Sequence, residues 1–194
     1  ERAAAMGFNG EGYHSTIAPY ELTKLDPAAR PASVGAKFED ISPDDASLLG
    51  IHVGTKQAAL DRWEGLGATR GATYPVKFRN TNPWLDERGN LLEDGHMGSL
   101  DRELYGRANR LDMGEWGAKD YGRNRDAIFQ GNTHIPYENL IEDEGSISHV
   151  VHPANLRSRF AAFDPAKLGQ TDLLGYANPK LLAILAGTAG GGIA

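Results

Sequence analysis

At 194 residues the chain has room for one domain and an apolar share of 40%, enough for a modest core. Its 24 glycines and 10 prolines point to short strands and many turns rather than a helical bundle. The net charge of −6 argues against a general phosphate-backbone binder, and the lack of cysteine excludes disulfides, thiolate zinc sites and a cysteine nucleophile.

The chain opens on Glu1 with no initiator Met and no apolar leader, so it reads as a piece of something longer. Residues 1–8 predict a short helix closed by Gly7 or Gly10. Tyr13-His14-Ser15-Thr16-Ile17 reads as a strand running into a turn at Pro19. Asp26-Pro27, Arg30-Pro31 and Ser42-Pro43 break residues 22–45 into a long loop, followed by a helical turn over 43–48. Residues 50–55 form a short strand that ends on a helix start. Thr55 is the N-cap, and Ala58, Ala59, Leu60 and Trp63 give the helix over 56–65 its apolar face.

Residues 73–79 alternate as a half-buried strand, which Pro75 assigns to an edge or a bulge. Asn82-Pro83-Trp84 turns the chain, and Trp84-Leu85 packs back on the core. Residues 86–126 are charged and glycine-rich, with their best helical pattern over 99–111, and read as an insertion or mobile arm. A helix end falls at 126–129. The stretch 135–165 then holds a strand, an acidic loop over 138–145, a second buried strand over 146–151 stopped by Pro153, a turn over 155–158 and an aromatic anchor from Phe160 to Phe163. Beyond Pro179 the tail carries no charge after Lys180 and falls short of the ~20 residues that span a bilayer. It reads as a flexible or docking tail, or as the start of a longer membrane-active segment.

Of the six histidines, His149 and His152 stand three apart on a strand, so they point to opposite faces and share no ion. No metal site is expected, and no Gly-x-Ser-x-Gly marks a serine nucleophile. What remains is His14 with Ser15 and Thr16, His52 with Val53-Gly54-Thr55, and the acids Glu138, Glu142 and Glu144. Each lies near the end of a short strand, where side chains can converge on one cleft. The plainer alternative is that His14 and His52 are partly buried polar residues held by backbone hydrogen bonds.

Tyr13-His14-Ser15-Thr16 resembles the Tyr-His-Gly-Thr opening of ADP-ribosyltransferase-like domains, with Ser15 in place of the glycine. Residues 50–59 look like the strand and helix that follow in such domains, and residues 74–83 like the next strand with its Asn-Pro turn. Residues 136–163 are similar to the closing part seen in large phage and prophage proteins. There Tyr-x-Asn-x-x-Glu-Asp-x-Gly-Ser-x-Ser leads into a strand, an Asp/His-Pro turn and Arg-Ser-x-Phe. The resemblance implies an α+β fold over residues 1–178, a split and strongly bent sheet with flanking short helices and long loops. Residues 86–126 would be its insertion and 179–194 an apolar, glycine-rich tail.

It further implies that NAD, as substrate, lies in the cleft between the sheet halves. His14 would bond the adenosine ribose, the neighbouring backbone at Ser15 and Thr16 would hold the nicotinamide amide, and His52 would fall near the usual stacking tyrosine. Typical members carry Glu-Tyr-Val-Val at the head of the last strand; here Ser148-His149-Val150-Val151 stands there. Glu142 is then the substitute acid that stabilises an oxocarbenium ion, with Glu138 and Glu144 behind it.

Two functions follow from the resemblance. One is an NAD-dependent ADP-ribosyltransferase from a phage or mobile element, modifying a host macromolecule, protein first. The other is a catalytically degenerate module of a phage virion or ejected protein that keeps the fold for packing or partner binding. Partners are accordingly a host protein acceptor or phage virion proteins, in the virion or the host cytoplasm, with membrane contact through the tail.

Overall fold

A computed structural model describes residues 1–16, 50–65, 72–93, 126–127, 129–161 and 163. In chain order the elements are α1 (Arg2–Ala5), β1 (Gly10–Thr16), β2 (Ile51–Val53), α2 (Lys56–Gly65), β3 (Ala72–Phe78), β4 (Leu92–Glu93), β5 (His134–Glu138), β6 (Ile147–Val151), a 3-10 turn (Pro153–Asn155) and β7 (Leu156–Ser158). The fold is α+β. The strands make two sheets, one ordered β1-β3-β7 and one ordered β2-β6-β5-β4.

Alternation explains the core. Val76 and Phe78 of β3 are buried and pack with Ile51 and Val53 of β2, Val151 of β6 and Leu156 of β7, so both sheets contribute to one cluster. Each such side chain contributes roughly 1.5–3 kcal/mol when fully withdrawn from water. The sheets are also joined through the main chain: Tyr13 and Gly54 exchange N–H···O bonds of 2.9 and 3.1 Å.

Several expectations meet their elements directly. Thr55 Oγ1 accepts from the Ala58 amide at 3.0 Å, the N-cap of α2, and Ala58 and Ala59 are buried where the helix packs on β1. Ile135 pairs with Val150, and Trp84 is buried. Gly7, at φ +83°, turns the chain out of α1 in the left-handed region that glycine adopts without steric cost. The aromatic exit is divided: Phe163 is buried edge-on against Phe8 at 5.3 Å, whereas Phe160 is exposed.

Two readings change. β3 is the middle strand of its sheet rather than an edge. Pro75 is tolerated because Tyr13, opposite it in β1, directs its own N–H and C=O to Gly54, while the β7 ladder begins one residue later at Val76 and Ser158. The Pro75 carbonyl still accepts from the Arg159 amide at 3.0 Å, so only the return bond is lost, at the end of the β7 ladder. The turn expected over 155–158 is instead a strand. Turning is done earlier, where His152 Nδ1 accepts from the Ala154 amide at 3.2 Å and Pro153 opens the 3-10 turn, and all of Leu156–Ser158 is buried beside β3.

Within the stretch read as an insertion, Asp86 accepts from the amides of Arg88 and Asn90 at 2.8 and 2.7 Å and turns the chain. Leu92, buried, then carries β4 into parallel pairing with Tyr137. The long loop at 22–45, the helical turn at 43–48, the segment 99–111 and the tail 179–194 lie outside the described residues. Among the described residues no helix is long and apolar enough to cross a membrane.

Candidate functional site

The seam between the sheets opens into a small cleft. β1 brings Tyr13, His14 and Ser15 to it; β2 and the start of α2 bring His52, Gly54 and Ala58. Arg62 comes from the next turn of α2, Tyr137 from β5, Asn139 and Glu142 from the acidic loop, and Ser148 from β6. Gly54 makes this convergence sterically possible. A Cβ there would lie 2.6 Å from Ser148 Oγ and 3.1 Å from the Ala58 Cβ, so any side chain would push β6 and α2 apart.

His14 Nδ1 lies 2.8 Å from the His52 carbonyl oxygen. A carbonyl only accepts, so Nδ1 carries the proton and Nε2 is left as an acceptor. Burial pushes the imidazole down to about 4; the bond to the His52 carbonyl opposes this, and the positive charge of Arg62 adds to it. The ring is therefore neutral at pH 7. The His52 ring reaches the other way, with Nδ1 2.8 Å from the Tyr137 hydroxyl and the two rings edge-on at 5.7 Å. Ser15 Oγ is engaged across the β1–β3 pair with Thr73 Oγ1 at 2.7 Å. Thr16 ends β1 opposite Ala72.

The acidic loop is folded around Asn139, itself buried. Asn139 Oδ1 accepts from the amides of Ile141 and Glu142 at 3.3 and 3.0 Å, and its Nδ2 donates to Ser148 Oγ at 3.2 Å. Asp143 at φ +52° and Gly145 at φ +81° close the turn. The loop is tied to α2 at three points. Thr55 donates to the Asp143 carboxylate, the Asp143 amide donates to Asp61 Oδ2 at 3.1 Å, and Arg62 Nη1 meets Glu142 Oε1 at 3.0 Å. This lays Glu142 into the cleft with its side chain 14% exposed. Glu138 and Glu144 are solvent-exposed, so of the three acids Glu142 is the one that lines the site.

The other described histidines go elsewhere. His149, on the face of β6 opposite Ser148, packs against Phe78 at 4.7 Å and His134 at 5.2 Å. His152 Nε2 bonds Asp126 Oδ1 at 2.7 Å. Among the described residues no group of three His, Asp or Glu is placed to hold a metal ion.

His14, Ser15, His52 and Glu142 are thus brought together. Arg62, Tyr137 and Asn139 were not singled out from the sequence. Arg62 stands four residues after Ala58 on the same helix face, and Tyr137 and Asn139 stand two apart at a strand end; both spacings were there to be read. Chemically the cleft offers a neutral imidazole acceptor, hydroxyls, a carboxamide and a carboxylate paired with a guanidinium, a set suited to a polar, hydroxyl-bearing ligand. No protein-family model, curated protein or solved structure matches the chain.

Proposed function

We propose that this chain is an ADP-ribosyltransferase-like domain that takes NAD as substrate and transfers ADP-ribose to a host macromolecule, a protein first. The observation that carries the reading is the meeting of His14, His52, Glu142 and Ser148 in one cleft between two sheets. His14, His52 and Ser148 stand at positions that the sequence resemblance assigns to an NAD site, and Glu142 is the acid offered in place of Ser148.

In this reading His14 Nε2 accepts a hydrogen bond from a ribose hydroxyl, since its Nδ1–H is committed to the His52 carbonyl. The N-glycosidic bond breaks with its electron pair leaving on nicotinamide, and positive charge develops on the ribose. The Glu142 carboxylate, held by Arg62 and the Asn139-centred turn, stabilises that charge without having to reorganise. A nucleophile on the acceptor then bonds the ribose carbon and releases its proton.

A second reading draws on one observation: at the head of β6 the buried Ser148 bonds Asn139, and the only cleft carboxylate among the described residues is already paired with Arg62. This supports a catalytically degenerate module of a phage virion or ejected protein. Calorimetry with NAD, followed by a nicotinamide-release assay, separates the two. Binding with release supports the transferase, binding without release supports the degenerate module, and a folded chain that binds no NAD overturns the NAD site.

A further inference from the structure

A dinucleotide brings two negative charges on its pyrophosphate to a chain whose own net charge is −6. A cation at the site would offset that charge. Among the described residues that line the cleft, Arg62 is the one permanently charged cation, because His14 is neutral at pH 7.

The place of Arg62 matters as much as its charge. Its Nη1 bonds Glu142 Oε1, and its charge is felt at the His14 ring. The guanidinium therefore lies among the two groups assigned above to the two riboses of NAD, and the pyrophosphate is what joins those riboses. The contact with Glu142 is single, from one nitrogen to one oxygen, whereas a guanidinium carries five N–H donors in a planar fork. The side chain is also 37% exposed, so a ligand entering the cleft can reach it.

We infer that Arg62 is the pyrophosphate anchor of the cleft, holding Glu142 with one nitrogen while its remaining N–H groups take phosphate oxygens of the dinucleotide. This rests on the NAD reading and adds to it a residue that sets the ligand class: phosphate-bearing nucleotides over free nucleosides. The same residue would then link substrate binding to the placement of the acid.

The test compares two ligands on the unaltered chain and on Arg62→Gln: NAD by calorimetry, and nicotinamide riboside, which has no phosphate, by ligand-observed NMR. Loss of a charge-assisted contact is expected to weaken NAD roughly ten- to hundred-fold and to leave the riboside within about two-fold. Equal weakening of both ligands, or no weakening of NAD, overturns the inference while leaving the NAD site standing. An unaltered chain that binds neither ligand overturns the NAD reading itself, and this inference with it. Should Arg62→Gln fail to fold, inorganic pyrophosphate titrated against NAD on the unaltered chain decides: competition supports the anchor and its absence overturns it.

Discussion

His14 donates its Nδ1–H to the main-chain oxygen of His52 across 2.8 Å, a bond between residues 38 apart in the chain. With the Tyr13–Gly54 exchange beside it, this bond fastens one sheet to the other where the cleft begins. It also sets the tautomer, so one contact decides both the seam and the chemistry of the imidazole.

His14→Ala is expected to abolish measurable NAD binding and to cost stability by only about 1 kcal/mol, the scale of one hydrogen bond. Calorimetry reads the first effect and urea unfolding the second. A variant that stays folded and binds NAD as the unaltered chain does would remove His14 from the site.

Glu142→Gln keeps the size of the side chain and removes its charge. NAD affinity is expected to change little, whereas nicotinamide release should fall by about 100- to 1,000-fold, the scale of losing one preorganised electrostatic contact. Unchanged release in Glu142→Gln would mean that this carboxylate does not face the developing charge.

Asn139→Ala removes the acceptor for the Ile141 and Glu142 amides and the donor to Ser148. The expected cost is about 1–3 kcal/mol, because buried partners are left unsatisfied. Hydrogen exchange at those two amides should quicken well beyond that of the β6 amides; uniform quickening would indicate global destabilisation instead.

Gly54→Ala places a methyl 2.6 Å from Ser148 Oγ. Overpacking at this junction is expected to destabilise by about 1–3 kcal/mol, read as a lower urea midpoint. A midpoint equal to that of the unaltered chain would show that β6 and α2 can move apart freely.

Acid should loosen this protein at its histidines. Burial pushes His14, His134 and His149 each down to about 4, with His134 adding to the effect on His149. An unfolded imidazole binds its proton near pH 6.5, so between pH 6.5 and 4 the unfolded chain holds more protons than the folded one. Stability from these groups is full above pH 6.5, falls as the pH drops and is gone below about 4, by up to about 3 kcal/mol per imidazole. Urea unfolding at pH 7.5, 6 and 5 tests this; equal midpoints would show that the histidines are solvated.

Short-range signals were legible and held. Thr55 caps α2, Trp84 packs inward, and β5 and β6 pair with Ile135 opposite Val150. Pro75 misled because a missing N–H marks an edge only where the strand has no partner on that side; here it falls at the end of the β7 ladder, and the Pro75 carbonyl keeps its bond from the Arg159 amide. The strand at Leu156–Ser158 was read as a turn because it is three residues long and carries Arg157, whose charge masks burial. In the structure its Nη1 donates to the Leu156 carbonyl at 2.6 Å.

The α+β class was implied by the resemblance; by itself the sequence determined the cap of α2, several short strands and a short list of polar residues near strand ends, because those depend on neighbours within a few positions. Tertiary structure alone decided which of them meet. Arg62 and Glu142 are 80 residues apart, and no local pattern says that a helix-face arginine will hold one glutamate of three. That selection comes from the Asn139-centred turn and from the tie between Thr55 and Asp143, which exist only once the loop has docked on α2.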